Sequence, residues 1–97
     1  MNDITKIYGF LFIHNAETIQ KFYPLINKDW NVLKIHKDWH FAIGELLKDN
    51  KPIDIVTIVQ CLRENGRLSK DSVLRTSQAT QDVEYIRIES LFDRINH

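Results

Sequence analysis

A chain of 97 residues that is 43% hydrophobic and 27% charged has room for one core, and its composition excludes a disordered chain. Thirteen Lys and Arg against thirteen Asp and Glu leave no overall field to hold a polyanion, which weighs against nucleic-acid binding as the main task. One cysteine, Cys61, excludes an internal disulfide, and the apolar run Tyr8 to Ile13 is too short to span a bilayer or serve as a secretory signal. A cytoplasmic protein with Cys61 as a packing residue is therefore expected.

Asp3 is placed to cap a first helix running to about Ile13, with Ile4, Ile7, Tyr8 and Leu11 on one face and Phe10, Phe12 and Ile13 around the others. A helix apolar on most sides belongs in the middle of a domain. Asn15 begins a second helix with the stripe Ala16, Ile19, Phe22, Tyr23 and Ile26, and Pro24 inside that stripe predicts an end near Tyr23 or a kink. Residues 28–34 read as a polar connection around Trp30, with room for a helical turn. In a third helix, Ile35, His36, Trp39, Ile43, Leu46 and Leu47 share a narrow arc, Asp49 and Asn50 close it, and Phe41 points to the opposite side.

Pro52 removes a donor and fixes its own φ, so the third helix must stop by about Lys51. Asp54 then stands at an N-cap, where its carboxylate can accept from the otherwise unpaired N–H of Val56 or Thr57. Ile55, Ile58, Val59 and Leu62 recur at helical spacing, and Asn65-Gly66 supplies a stop in which Gly66 takes positive φ without steric cost. Ser69 is expected to cap a short helix from Lys70 to about Gln78, weakly apolar through Val73 and Leu74. Thr80 or Asp82 is expected to open a last helix, with Tyr85, Ile88, Leu91, Phe92 and Ile95 on one face and Val83 and Ile86 on the other. No segment alternates with period two, so the predicted fold is all-α, a compact orthogonal bundle of five to six helices forming a single domain over residues 1–97.

No constellation in the chain carries catalysis. Gly9, Gly44 and Gly66 never form the Gly-rich turn ending in Lys-Ser/Thr that a phosphate cradle needs. His36 and His40 have the i, i+4 spacing of a shared metal, but Lys37 stands where a zinc protease has Glu and no third ligand is suitably spaced. The simpler reading places His36 in the apolar arc against a backbone carbonyl and His40 on its flank. Asp38, Glu45 and Asp49 among Lys34, Lys37 and Lys48 read as a solvated face of mixed sign. No catalytic residue, metal or cofactor is expected. Phe41 and the pair Val83 and Ile86 lie on faces the core stripes do not claim: they either pack under a neighbouring loop or form an exposed contact for a partner.

The segment His36 to Leu68 resembles the N-terminal domain of DnaB-type replicative DNA helicases. The family's His-headed helix is matched by His36 and Trp39, with His40 where an aromatic is usual. Its Lys-Pro-Ile/Val-Asp loop is matched by Lys51-Pro52-Ile53-Asp54, and its charged-Gly-x-Leu close by the end of Leu62-Arg63-Glu64-Asn65-Gly66-Arg67-Leu68. Gly9 to Ile13 with Ala16 and Ile19, and Asp82-Val83-Glu84-Tyr85, are similar to the family's first two helices and to the opening of its last. Residues 69–81 are shorter than the family's Gly-Gly-containing stretch. The sequence ends at His97, before the family's dimerising hairpin and ATPase domain, so neither property carries over; a longer parent would be an ATP-dependent helicase.

The resemblance implies a non-catalytic interaction module of DNA replication that binds the primase C-terminal domain or a helicase collar, or that acts as a stand-alone adaptor or competitor of the helicase. Phe41, Val83 and Ile86 are its candidate contacts, whereas Pro52, Asp54 and Gly66 mark the fold. Self-association is compatible with this reading, and DNA would be met only indirectly. The alternative is a small DNA-binding domain with residues 70–78 as recognition helix, Lys70, Arg75 and Gln78 reaching phosphates or base edges.

Overall fold

Every residue from Ile7 to Phe12 is buried, which places α1 (Asp3–Phe12) at the centre of the molecule with α3 (Lys34–Lys48), α5 (Ser72–Ala79) and α6 (Ile88–Asn96) packed around it. The structure is a computed structural model that describes residues 2–96; among these it holds six α-helices, two 3-10 turns and no strand, with a radius of gyration of 12.3 Å. Asn2, not Asp3, caps α1: its Oδ1 accepts from Thr5 N–H at 2.8 Å, while Asp3 lies one position inside the helix and pairs with Arg94 of α6 at 2.8 Å.

Asn15 caps α2 (Ala16–Phe22), accepting from Thr18 N–H at 2.9 Å, and Pro24 ends that helix in a 3-10 turn over Tyr23–Leu25. A second such turn spans Lys28–Trp30. Helix α3 (Lys34–Lys48) turns Ile35, His36, Trp39, Ala42, Ile43 and Leu46 inward. Trp39 lies against Tyr8 and Phe12 of α1 and donates from Nε1 to Thr76 Oγ1 of α5 at 3.0 Å. A single ring thus joins its own helix to two others, and full burial of one such large apolar side chain contributes roughly 1.5–3 kcal/mol.

Helix α4 (Ile55–Glu64) opens with a reciprocal cap: Asp54 Oδ1 accepts from Thr57 N–H and Thr57 Oγ1 accepts from Asp54 N–H, both at 2.9 Å. It closes at Gly66 with φ +66°. Ile58 and Leu62 of α4 are buried, and α4 packs on both α3 and α5.

The last third of the chain departs from its sequence-based reading. Helix α5 is Ser72–Ala79 rather than 70–78, and Ser69 does not cap it; the Ser69 N–H instead donates to Ser72 Oγ in the turn before the helix. Helix α6 is Ile88–Asn96, starting well after Thr80 and Asp82. Asp82 takes φ +60°, the left-handed region, so the chain breaks there and residues 80–87 run as turns. With no helix in this stretch, the helical phase expected there does not apply. Tyr85, predicted to face the core, is 90% exposed, while Val83, predicted on the outer face, is 1% exposed. Ile88, Leu91 and Phe92 are buried as the stripe predicted.

Candidate functional site

The polar residues that the sequence singled out are held by the fold, and they do not converge on a reaction centre. His36 is buried with Nε2 2.8 Å from Thr5 Oγ1, rather than against a backbone carbonyl, and its Nδ1 is buried without a hydrogen-bond partner. His40 is spent differently, its Nδ1 lying 3.0 Å from the Tyr8 hydroxyl. Because Tyr8 donates its one proton to Asn31 Oδ1 at 2.8 Å, the His40 tautomer that completes the network donates from Nδ1 to the Tyr8 oxygen. Two imidazoles with separate partners on one helix do not aim at a common point. Among the described residues no group of three or more His, Cys, Asp and Glu stands close enough to share a metal. Cys61 is buried, and that burial, reinforced by Glu45, Glu64 and Asp49, pushes its thiol above its ordinary range, the opposite of an activated nucleophile.

Asp38 is the clearest correction to the solvated-face reading of α3. Its side chain is 2% exposed; Lys34 Nζ donates to Oδ2 at 2.8 Å and Arg67 Nη1 to Oδ1 at 3.1 Å. Arg67 follows Gly66 directly, so the left-handed stop of α4 turns the chain back and aims this guanidinium at α3. The same guanidinium lies 4.0 Å above the ring of Phe41. Phe41 is therefore half-covered, with one face of its ring under the Arg67 guanidinium.

Val83 is closed off altogether and is withdrawn as a contact residue. Ile86 is half-buried against the core. A continuous helix would place both outside, and the left-handed Asp82 cancels that phase.

Large apolar side chains are exposed at several places, Leu25, Val32, Leu33, Val56 and Tyr85 among them, and two such residues, Val73 and Leu74, stand side by side on α5. This helix is built inside out: it buries Ser72, Thr76 and Ala79 and leaves Val73 at 50% and Leu74 at 60% exposure. The reason is the closeness of α1. A Cβ built on Gly9 would stand 1.7 Å from the carbonyl oxygen of Ala79, so only small side chains fit between the two helices. Thr76 satisfies its hydroxyl inside this contact by donating to Ser72 O at 2.7 Å and accepting from Trp39.

Beside α5, a groove of about 300 Å³ runs to the start of α3. Leu33 and Ile35 contribute its apolar surface, Lys34 and Asp38 one wall, and Asp71 and Arg75 the other. Arg75 Nε donates to Asp71 Oδ2 at 2.6 Å, and this bond, with a second from Ser69, holds the Asp71 carboxyl below its usual range. Of the residues expected to meet DNA, Lys70 stands before the helix rather than in it, Arg75 is engaged with Asp71, and Gln78 is exposed. The exposed apolar pair on α5 carried a sequence signal, the only large apolar side chains of that helix, but the phase of a short helix is decided by what packs on it. No family model, curated protein or solved structure matches the chain.

Proposed function

We propose that this chain is a non-catalytic protein-interaction module of DNA replication, of the kind represented by the helicase collar, and that it binds a primase C-terminal domain or a helicase collar. The observation that carries the interaction reading is the inverted α5, which spends its small polar residues on the core and presents Val73 and Leu74 to solvent. Neighbouring apolar side chains that the fold leaves at the surface are the composition of a contact surface. The replication context rests on the motif residues His36, Trp39, Lys51 to Asp54 and Gly66 to Leu68. Pro52, Asp54 and Gly66 serve the chain geometry around α4, which leaves binding to the surface that this geometry positions. Phe41 lies on the same side of α3 as Asp38 and Arg67 and is a secondary contact.

The test is affinity purification of the tagged full chain from its native host, with the bound proteins identified by mass spectrometry. Primase or helicase should be recovered with the natural chain and reduced at least about fivefold with Leu74→Asp, a loss of roughly 1 kcal/mol of binding. Leu74 is largely exposed, so this substitution should leave the thermal midpoint within a few degrees of the natural chain. Recovery of neither protein would remove the replication assignment.

A further inference from the structure

We infer that the open groove between the end of α1 and the turns that follow α5 receives a basic, arginine-bearing segment of a partner protein. This rests on the interaction-module reading and adds a second contact together with the chemistry of its occupant.

The groove has a volume of about 640 Å³ and is lined by Ile13 and His14 after α1 and by Thr80, Gln81, Asp82 and Glu84 after α5. Both carboxylates are open. The ion pairs among the described residues join Lys34 and Arg67 to Asp38, Arg75 to Asp71 and Arg94 to Asp3, so neither Asp82 nor Glu84 is engaged in one. Neighbouring grooves differ. The one beside α3 sets Lys34 and Arg75 against Asp38 and Asp71, and the one that shares His14 sets Lys21 and Arg87 against Glu17 and Glu89. In both of those the signs balance, whereas this lining holds two carboxylates and no Lys or Arg.

The neutral side chains extend the same preference. His14 Nδ1 lies 2.6 Å from the carbonyl oxygen of Phe10, which can only accept, so the proton of the neutral ring is on Nδ1 and its Nε2 is an acceptor. The Thr80 hydroxyl donates its proton to Ser77 O at 2.7 Å and keeps only lone pairs for a ligand. Gln81 alone brings side-chain donors, and its amide offers an acceptor beside them. An occupant of this lining must therefore supply donors and positive charge. A phosphate backbone supplies the reverse of both, and among the described residues no group of three or more His, Cys, Asp and Glu could hold a metal ion. Arginine meets the requirement best, because its planar guanidinium carries five donors and matches carboxylates in pairs. Ile13, 43% exposed within the lining, gives its methylene stem or an aliphatic neighbour an apolar anchor.

The experiment titrates the isotopically labelled full chain at about pH 8 with a peptide of about ten residues rich in arginine and leucine, observed by amide chemical shifts. Parallel titrations use the same peptide with uncharged citrulline for every arginine, and calcium chloride. The arginine peptide should shift the amides of 13, 14 and 80–84, and the citrulline peptide should bind at least about tenfold more weakly. Asp82→Asn combined with Glu84→Gln should weaken the arginine peptide by a similar factor. This variant keeps the fold, since asparagine also adopts the left-handed backbone that Asp82 holds at φ +60°. The inference is overturned by an absence of shifts up to about 1 mM arginine peptide, by equal binding of the two peptides, by unchanged affinity in the double variant, or by equal shifts with calcium. If the peptide fails while primase or helicase still co-purifies with the chain, the interaction module stands and its contact lies elsewhere. If the peptide binds and neither protein co-purifies, the groove stands and the replication assignment falls.

Discussion

Of the three glycines, Gly9 is the one with least room for a side chain. An added Cβ would stand 1.7 Å from the Ala79 oxygen and 2.5 Å from its carbonyl carbon, and both are backbone atoms that cannot rotate aside. Gly9→Ala should therefore force α1 and α5 apart and cost about 3 kcal/mol or more, the upper end of overpacking penalties. Urea denaturation measures this directly; a loss below about 0.5 kcal/mol would mean that the helices do not approach so closely in solution. Gly44 offers a contrast, since its added Cβ would meet the Tyr23 hydroxyl at 2.7 Å, the end of a side chain that can give way. In the sequence Gly9 is one residue of the apolar run Tyr8 to Ile13. Its packing role was illegible there because the atoms it must avoid belong to a residue 70 positions later.

At the scale of the element, α4 and α5 form an instructive pair. In α4 a proline stop, an acidic cap, a stripe and a glycine all lie within the segment itself and agree, and all have their effect locally. Asp54→Ala should cost about 1 kcal/mol by removing the half of the reciprocal cap in which the carboxylate accepts from Thr57 N–H, the half from the Asp54 backbone N–H to Thr57 Oγ1 being kept, whereas Asp54→Asn should retain most of the stability. Equal losses for the two substitutions, read from the shift in urea midpoint, would count against the hydrogen bond to Thr57 N–H as the cause. Helix α5 has no side-chain cap and no stripe that matches its burial. Read alone, Val73 and Leu74 are its core residues; folded, they are its surface, because the helix turns Ser72, Thr76 and Ala79 inward, with Ala79 hard against Gly9 of α1 and Thr76 bonded to Trp39 of α3. Val73 and Leu74 were visible in the sequence as aliphatic residues, but their outward direction was not.

For the molecule as a whole, the joint between α1 and α3 sets the response to pH. His36 and His40 flank Tyr8, and burial depresses both imidazoles below their ordinary range, with Arg75 adding to the effect at His36 and Lys28 at His40. The native state thus binds protons less readily than the unfolded chain, whose histidines titrate near 6.5. The stability they contribute is complete above about pH 6.5 and is lost as pH falls toward the native values. For a ring as buried as His36 the ceiling is about 1.4 kcal/mol per pH unit. Thermal midpoints should fall between about pH 7.5 and pH 5.5, and His36→Phe, which keeps an aromatic ring beside Tyr8, should flatten that slope. An unchanged slope in the variant would place the acid sensitivity elsewhere.

By itself the amino-acid sequence determined the all-helical class, the central place of the first helix, the boundaries of the second to fourth helices, and the Pro52, Asp54 and Gly66 punctuation around α4. Each of these depends on residues within a few positions of one another. Only the tertiary structure decided where the last helix begins, that Val83 is inside and Tyr85 outside, that Asp38 is a buried ion-pair centre, and that α5 turns its aliphatic side chains to solvent. These depend on a left-handed residue at Asp82, on an arginine 29 positions from the carboxylate it binds, and on a helix contact from Gly9 to Ala79. Periodicity shows that a helix has a face, but the direction of that face is set by the space its neighbours leave.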